Sequence, residues 1–132
     1  MEGTGGNCVE GHYIKRELQE SALDLIRMTA ERCDSLQGFF FVNSLNSGTG
    51  AGLNEGLASR IGIDYSKKNK IMSGIFPSNE MQTSIVENYN FTLAYMGIHE
   101  HLDMTIAIQN QQLYRICSNF LKIDSPNYSN IN

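Results

Sequence analysis

Three short apolar runs, at 38–45, 70–77 and 103–109, alternate with stretches whose apolar residues recur at helical spacing, and this alternation constrains the fold more than any other feature. The run GFFFVNSL at 38–45 has the continuous apolar character of a strand covered on both faces of a parallel sheet. Before it, residues 15–31 place Leu18, Ala22, Leu25 and Ile26 on one helical face, with Lys15, Glu17, Arg27 and Glu31 left for water. After it, Leu53, Leu57 and Ile61 recur every fourth residue, and KIMSGIFP at 70–77 reads as a second strand. Val86, Tyr89, Leu93 and Met96 mark the next helix, DMTIAIQ at 103–109 the third strand, and Leu113, Ile116, Cys117 and Phe120 the last helix. The expected fold class is α/β, a doubly wound, mostly parallel sheet with helices on both faces. Ligands of such sheets sit beyond the carboxyl ends of the strands, so 46–52, 77–84 and the turn at Asn110 are expected to open on one edge.

A chain of 132 residues, 41% of them apolar, has the length of one domain and enough material for a core. The net charge of -4, with no run of like charge beyond KKNK at 67–70, offers no basic surface to nucleic acid and no polybasic membrane anchor. Cys8, Cys33 and Cys117 are odd in number and far apart, which fits reduced thiols better than a disulfide framework or a zinc site. The opening MEGTGGNCVEGHY lacks the basic and apolar blocks of a signal peptide, and no apolar run has the length of a membrane span, so a soluble, intracellular setting is expected.

Gly48, Gly50 and Gly52 fall between a strand and a helix, where unpaired N–H groups and the positive helix end attract an anion. No Lys-Ser or Lys-Thr pair completes a P-loop, and Leu53 stands where a dinucleotide fingerprint has its third glycine. A tight turn that needs glycine for steric reasons alone is an equal alternative. Asn110 has the position of a helix N-cap, although an amide can also read a base edge. Glu87 suits a helix first turn as a dipole partner, Tyr89 is expected in the core, and Glu55 is expected in the first turn of the helix after the glycines. His12, His99 and His101 have no partner at metal or triad spacing and are expected to be structural or solvent-facing.

The segment NSLNSGTGAG at 43–52 resembles the tubulin signature, whose loop reads Gly-Gly-Gly-Thr-Gly-Ser-Gly after a His-Ser pair. EGHY before the first helix, CDSLQGF (33–39), VENYN (86–90), QNQQLYRIC (109–117) and SPNYSNIN (125–132) resemble further tubulin blocks in the family's order and spacing. DYSKKNK at 64–70 and Thr83 resemble the alpha type. The resemblance implies a partial tubulin GTP-binding domain over residues 1–132, Rossmann-like, with the N-terminal strands and the intermediate and C-terminal domains of the family absent.

Carried over position by position, the resemblance implies a guanine-nucleotide site. Ser44, Gly48, Thr49 and Gly50 match the phosphate-contacting segment, Thr83 and Glu87 the region near the ribose, and Asn110, Tyr128 and Asn132 the residues that bond to or stack on guanine. Hydroxyls and N–H groups suit phosphate, an aromatic face suits a base, and amides suit guanine's mixed edge. The implied cofactor is GTP, with Mg2+ held by a ligand outside this segment; no residue is assigned as catalytic, because the acidic residue of alpha-tubulin that promotes hydrolysis lies in a later helix. The implied partners are other tubulin subunits, in the alpha/beta heterodimer and the microtubule lattice, and the implied location is the cytoskeleton of the cytoplasm. Asn46, Ser47 and Ala51 depart from the signature, Gly6 replaces an asparagine near the terminal phosphates, and Asn88 replaces a proline. These departures support an alternative reading, a diverged or truncated paralogue that has lost nucleotide and acts as an interaction module or remnant.

Overall fold

The computed structural model describes residues 4–14 (backbone alone at Ile14), 16–78, 80 and 84–131. Thr83 and Asn132 lie outside the described residues. Strands β1 (Gly38–Ser44), β2 (Asn69–Ile75) and β3 (Met104–Ile108) form a parallel sheet in the order β1-β2-β3. The register sets Phe40 beside Ile71 and Ile71 beside Met104. Helix α1 (Arg16–Glu31) precedes β1, α2 (Gly48–Asp64) links β1 to β2, α3 (Glu87–His99) links β2 to β3, and α4 (Asn110–Asn119) and the short α5 (Tyr128–Ile131) follow. A π-helical turn, Glu10–Ile14, lies between the N-terminal segment and α1. The Asp103 carboxylate pins the entry to the sheet, accepting from the Lys70 backbone N–H at 2.7 Å.

Successive right-handed crossovers that step in one direction along a sheet place their helices on the same face. Accordingly Met72, fully buried, packs with Ala51 and Ala58 of α2 and with Ala94 and Ile98 of α3, while Phe41, Phe76, Phe91 and Tyr95 surround that cluster. The α/β architecture with a parallel sheet and flanking helices is as the alternation predicts, but among the described residues the helices cover one face of β1-β2-β3 rather than both, because the two crossovers step the same way. The other sheet face carries Phe40, Val42, Met104 and Ile106, all exposed.

The buried faces of the helices differ from the apolar stripes in the sequence. On α3 the inward residues are Glu87, Asn90, Ala94 and Ile98, while Val86, Tyr89, Leu93 and Met96 are exposed, so Tyr89 is not a core residue. On α1 the buried residue is Gln19, and Leu18 and Leu25 are exposed. The reason is polar: Gln19 Nε2 donates to the carbonyls of Gly11 at 3.2 Å and His12 at 2.8 Å, and Asn90 binds the N-terminal segment. A backbone segment packed between helices needs hydrogen-bonding partners, and polar side chains supply them. On α2 the deepest positions are small residues and Ile61, with Leu53 and Leu57 half-buried. On α4 Cys117 is buried and Leu113 half-buried, but Ile116 and Phe120 are exposed.

Candidate functional site at the carboxyl edge of the sheet

Ser44 ends β1 and, after Leu45 and Asn46, Ser47 caps α2. Ser47 is extended at φ -90 and ψ 157, and its Oγ accepts from the Gly50 N–H at 3.0 Å. Gly48, Gly50 and Gly52 are therefore the opening turns of a helix rather than a loop. None of them has positive φ, so Asn46 and Ser47 in place of glycine impose no conformational strain. Glycine is required instead by close approach: a Cβ on Gly48 would collide with Thr4, Gly6 and Asn7, and one on Gly52 with the Cys8 carbonyl. The cap consumes one of the unpaired N–H groups of the helix start, leaving those of the first residues, Gly48 and Thr49, without an intrahelical partner. Thr49 is exposed, and its hydroxyl is 3.1 Å from that of Thr4.

The N-terminal segment closes this helix end from one side. Asn90 of α3 holds it twice, accepting from the Cys8 N–H at 3.2 Å and donating to the Gly6 carbonyl at 2.7 Å. Gly5 and Gly6 adopt positive φ of 56 and 80, which lets the segment turn onto α2. Asn43 of β1 donates to the Gly50 carbonyl at 3.1 Å, but the Oδ1 atoms of Asn43 and Asn46 are buried with no hydrogen-bond partner among the described residues.

The ends of β2 and β3 lie on the same edge. The Leu45 N–H donates to the Ile75 carbonyl at 3.1 Å and the Phe76 N–H to the Ile108 carbonyl at 2.8 Å, so the three strand ends are level. Asn110 is the first residue of α4; Gln109 is the cap residue, makes no side-chain cap bond, and donates to the Pro77 carbonyl at 3.2 Å. Asn110 is half-buried, and its amide is thereby freed from the capping job that its position suggests. Two strand spacings, about 10 Å, separate the β1 and β3 ends. Glu87 is buried at the start of α3, whose cap residue Val86 makes no side-chain cap bond; the Ser84 N–H donates to Glu87 Oε1 at 3.2 Å and the Val86 N–H to Ser84 Oγ at 3.4 Å, which ties the turn before the helix to its first residue. Tyr128 is 70% exposed at the start of α5, which is tied to α4 by the Cys117 thiol donating to the Asn130 carbonyl at 3.5 Å. The structure thus gathers Ser44, Gly48, Thr49, Gly50, Glu87 and Asn110 on one edge and leaves Tyr128 on a separate exposed turn.

Thr4 and Asn90, which spacing alone does not reveal, shape this edge, and farther along α2 His12 Nδ1 contacts Glu55 Oε2. Because α2 begins at Gly48, Glu55 lies two turns in, not in the first turn, and faces His12 rather than the helix end. Burial, reinforced by the Arg16 charge, pushes the His12 imidazole below its ordinary value, and burial pushes the Cys8 thiol up against the opposing effect of backbone hydrogen bonds. Among the described residues no group of His, Cys, Asp and Glu is placed to hold a metal ion. A groove of about 640 Å3 lies elsewhere, between α1 and the far end of α2, beside Arg27, Arg60 and Asp64. No helix is long and apolar enough to cross a membrane among the described residues, and all three cysteines are free.

The sequence pattern of the tubulin/FtsZ family, GTPase domain, matches residues 1–118. The chain is 42% identical to the nucleomorph tubulin alpha chain of Guillardia theta over 132 residues, covering 99% of this chain and 30% of that relative. It is 41% identical to the tubulin alpha-3 chain of Zea mays (99% and 29%) and 40% identical to the tubulin alpha chain of Eremothecium gossypii (99% and 30%). The chain therefore spans about 30% of the length of these relatives. A helix that opens on closely packed glycines at the carboxyl edge of a parallel sheet agrees with the match, and the chain belongs to the tubulin/FtsZ family, within its GTPase domain.

Proposed function

We propose that this chain is the guanine-nucleotide-binding segment of an alpha-like tubulin, and that in a longer polypeptide it contributes to a subunit of the microtubule cytoskeleton. The observation that carries the reading is the GTPase-domain match over residues 1–118, a range that includes a strand-to-helix junction whose N–H groups and hydroxyls suit an anion. Gly48, Thr49, Gly50 and Ser44 would hold phosphate, Glu87 and Thr83 would lie toward the ribose, and Asn110, Tyr128 and Asn132 would read the guanine. The donors at the start of α2 fit a phosphate. The buried oxygens of Asn43 and Asn46 do not face an anion favourably and fit bridging water or a hydrated Mg2+ ion better. Tubulin partners, alpha/beta pairing and lattice contacts follow from the same reading. GTP, when bound, would supply the phosphoryl group for hydrolysis; this chain's residues would bind and orient it.

The test is competition of GTP and ATP against a fluorescent guanine nucleotide on the 132-residue chain. Guanine and adenine reverse donor and acceptor at the edge that amides would read, so GTP is expected to win by on the order of a hundredfold. Asn132→Ala is expected to erode that preference more than Asn110→Ala. Equal binding of both nucleotides, or of neither, favours the second reading, a paralogue that retains the fold as an interaction module.

A further inference from the structure

Glu55 is the one charged residue of α2 that is not exposed; Arg60 and Asp64 both reach solvent. Its side chain fills the space that Gly97 of α3 leaves open, where a Cβ would collide with Oε1, Cγ and Cδ of Glu55. The other oxygen, Oε2, contacts His12 Nδ1, a buried nitrogen with no hydrogen-bond partner of its own among the described residues. His12 sits in the π-helical turn that follows Thr4–Asn7 after Cys8 and Val9, and Thr4–Asn7 is the stretch packed against Gly48 and Thr49. One short segment is thus gripped through its side chain by the middle of α2 and lies across the N-terminal end of the same helix. A cavity of about 210 Å3, bordered by Cys8, Val9, Tyr13 and Leu93, adjoins the pair and gives the turn room to shift.

We infer that Glu55 is a positioning residue: seated over Gly97, it fixes His12 and thereby holds the Thr4–Asn7 segment against the start of α2. Gln19 and Asn90 fasten the backbone of this segment from α1 and α3, Thr49 meets Thr4 at the start of α2, and Glu55 supplies the side-chain contact from the middle of that helix. The consequence for nucleotide rests on the GTP-binding reading above, whereas the positioning itself can be measured without any ligand.

The cysteines provide the measurement. Cys8 lies two positions before the π-helical turn and is 4% exposed, Cys117 is equally buried on α4, and Cys33 is exposed. With a disulfide reagent, Cys33 should react at once, and Cys8 and Cys117 should be protected. Glu55→Ala is expected to speed modification of Cys8 by on the order of tenfold while leaving Cys117 within about twofold. Gly97→Ala should do the same with Glu55 and His12 both present, by displacing the carboxylate, and Glu55→Gln should restore most of the protection because it keeps the shape of the wedge. An unchanged Cys8 rate in Glu55→Ala and Gly97→Ala, or Cys8 and Cys117 accelerating in step, overturns the inference. In parallel, GTP affinity should fall several-fold in Glu55→Ala. Faster Cys8 with unchanged affinity overturns the link to the nucleotide end, and a parent chain that binds no nucleotide refutes the GTP reading while the thiol rates still decide the positioning role.

Discussion

The two faces of the sheet are made of the same kinds of residue and meet opposite fates. On one, Met72 is 0% exposed beneath α2 and α3. On the other, Phe40 is 61%, Val42 76%, Met104 54% and Ile106 41% exposed. Hydrophobicity does not separate them, and topology does: two crossovers stepping the same way along β1-β2-β3 bring both helices to one face. The chain as a whole exposes 8904 Å2 of surface, against about 7,000 Å2 for a folded monomer of its mass. The excess, about 1,900 Å2, is on the scale that an obligate interface buries on one partner.

The largest expected effect follows from that face. Together with the free edge of β1, it should make the chain self-associate in a concentration-dependent way, because flat apolar faces and unpaired strand edges recruit other chains. Sedimentation velocity of the chain, compared with a Val42→Lys/Ile106→Lys double variant, measures it. The variant should move strongly toward monomer. A monomeric parent chain with a reversible, cooperative unfolding transition would break the comparison.

The second effect sharpens the contrast residue by residue. Met72→Ala deletes a fully buried side chain between sheet and helices and should cost about 2–5 kcal/mol. Val42→Ala, on the same sheet but the opposite face, should change stability by no more than about 0.5 kcal/mol. Urea titrations of both variants, at a concentration where the chain is monomeric, test the pair. Equal losses would mean that Val42 is packed within the folded monomer and that the two faces do not differ in burial.

This asymmetry marks what was legible in the sequence. The order of elements was, because apolar runs and helical spacing are local signals: β1, β2 and β3 lie where 38–45, 70–77 and 103–109 predict them. Which face turns inward was not. Val86, Tyr89, Leu93 and Met96 make the better stripe on α3, but the burial of Asn90 and Glu87 is decided by the N-terminal segment and by the Ser84 N–H, partners distant or non-periodic in sequence. The glycine segment was legible as a helix entrance at a sheet edge. The cap at Ser47 and the packing of Thr4 on Thr49, across 45 positions, were not, because no periodicity links them. Resemblance supplied the family; no spacing rule would have.

A third effect concerns the polar end of the covered side. Thr49→Ala removes a hydroxyl that can donate to a phosphate oxygen, and a charge-assisted bond of that kind is worth roughly 1.5–3 kcal/mol, so GTP affinity should fall by on the order of tenfold or more. Thr4→Ala also breaks the 3.1 Å hydroxyl pair but leaves the Thr49 hydroxyl in place, and it should cost much less. Isothermal titration of the two variants separates a ligand contact from a structural one. Equal losses would show that the pair, rather than Thr49 itself, is what matters.

The smallest effect also distinguishes the two sides, because the open face, with Phe40, Val42, Ile71, Ser73, Ile75, Met104 and Ile106, carries no titratable group, whereas the covered side holds His12. Burial first and the Arg16 charge second lower the His12 value in the folded chain below 6.5, its ordinary value, despite the Glu55 carboxylate in contact. The unfolded chain then binds the proton more readily than the folded one. The contribution of His12 is therefore fully present above about pH 6.5 and is lost as the pH falls through the lower folded value. Thermal unfolding from about pH 7.5 downward should show the midpoint falling more steeply in the parent chain than in His12→Gln, whose side chain does not titrate. The opposite slope, with the parent chain gaining on His12→Gln as acid is added, would mean that attraction to Glu55 outweighs burial and that the pair behaves as an exposed ion pair rather than as part of the packed side of the molecule.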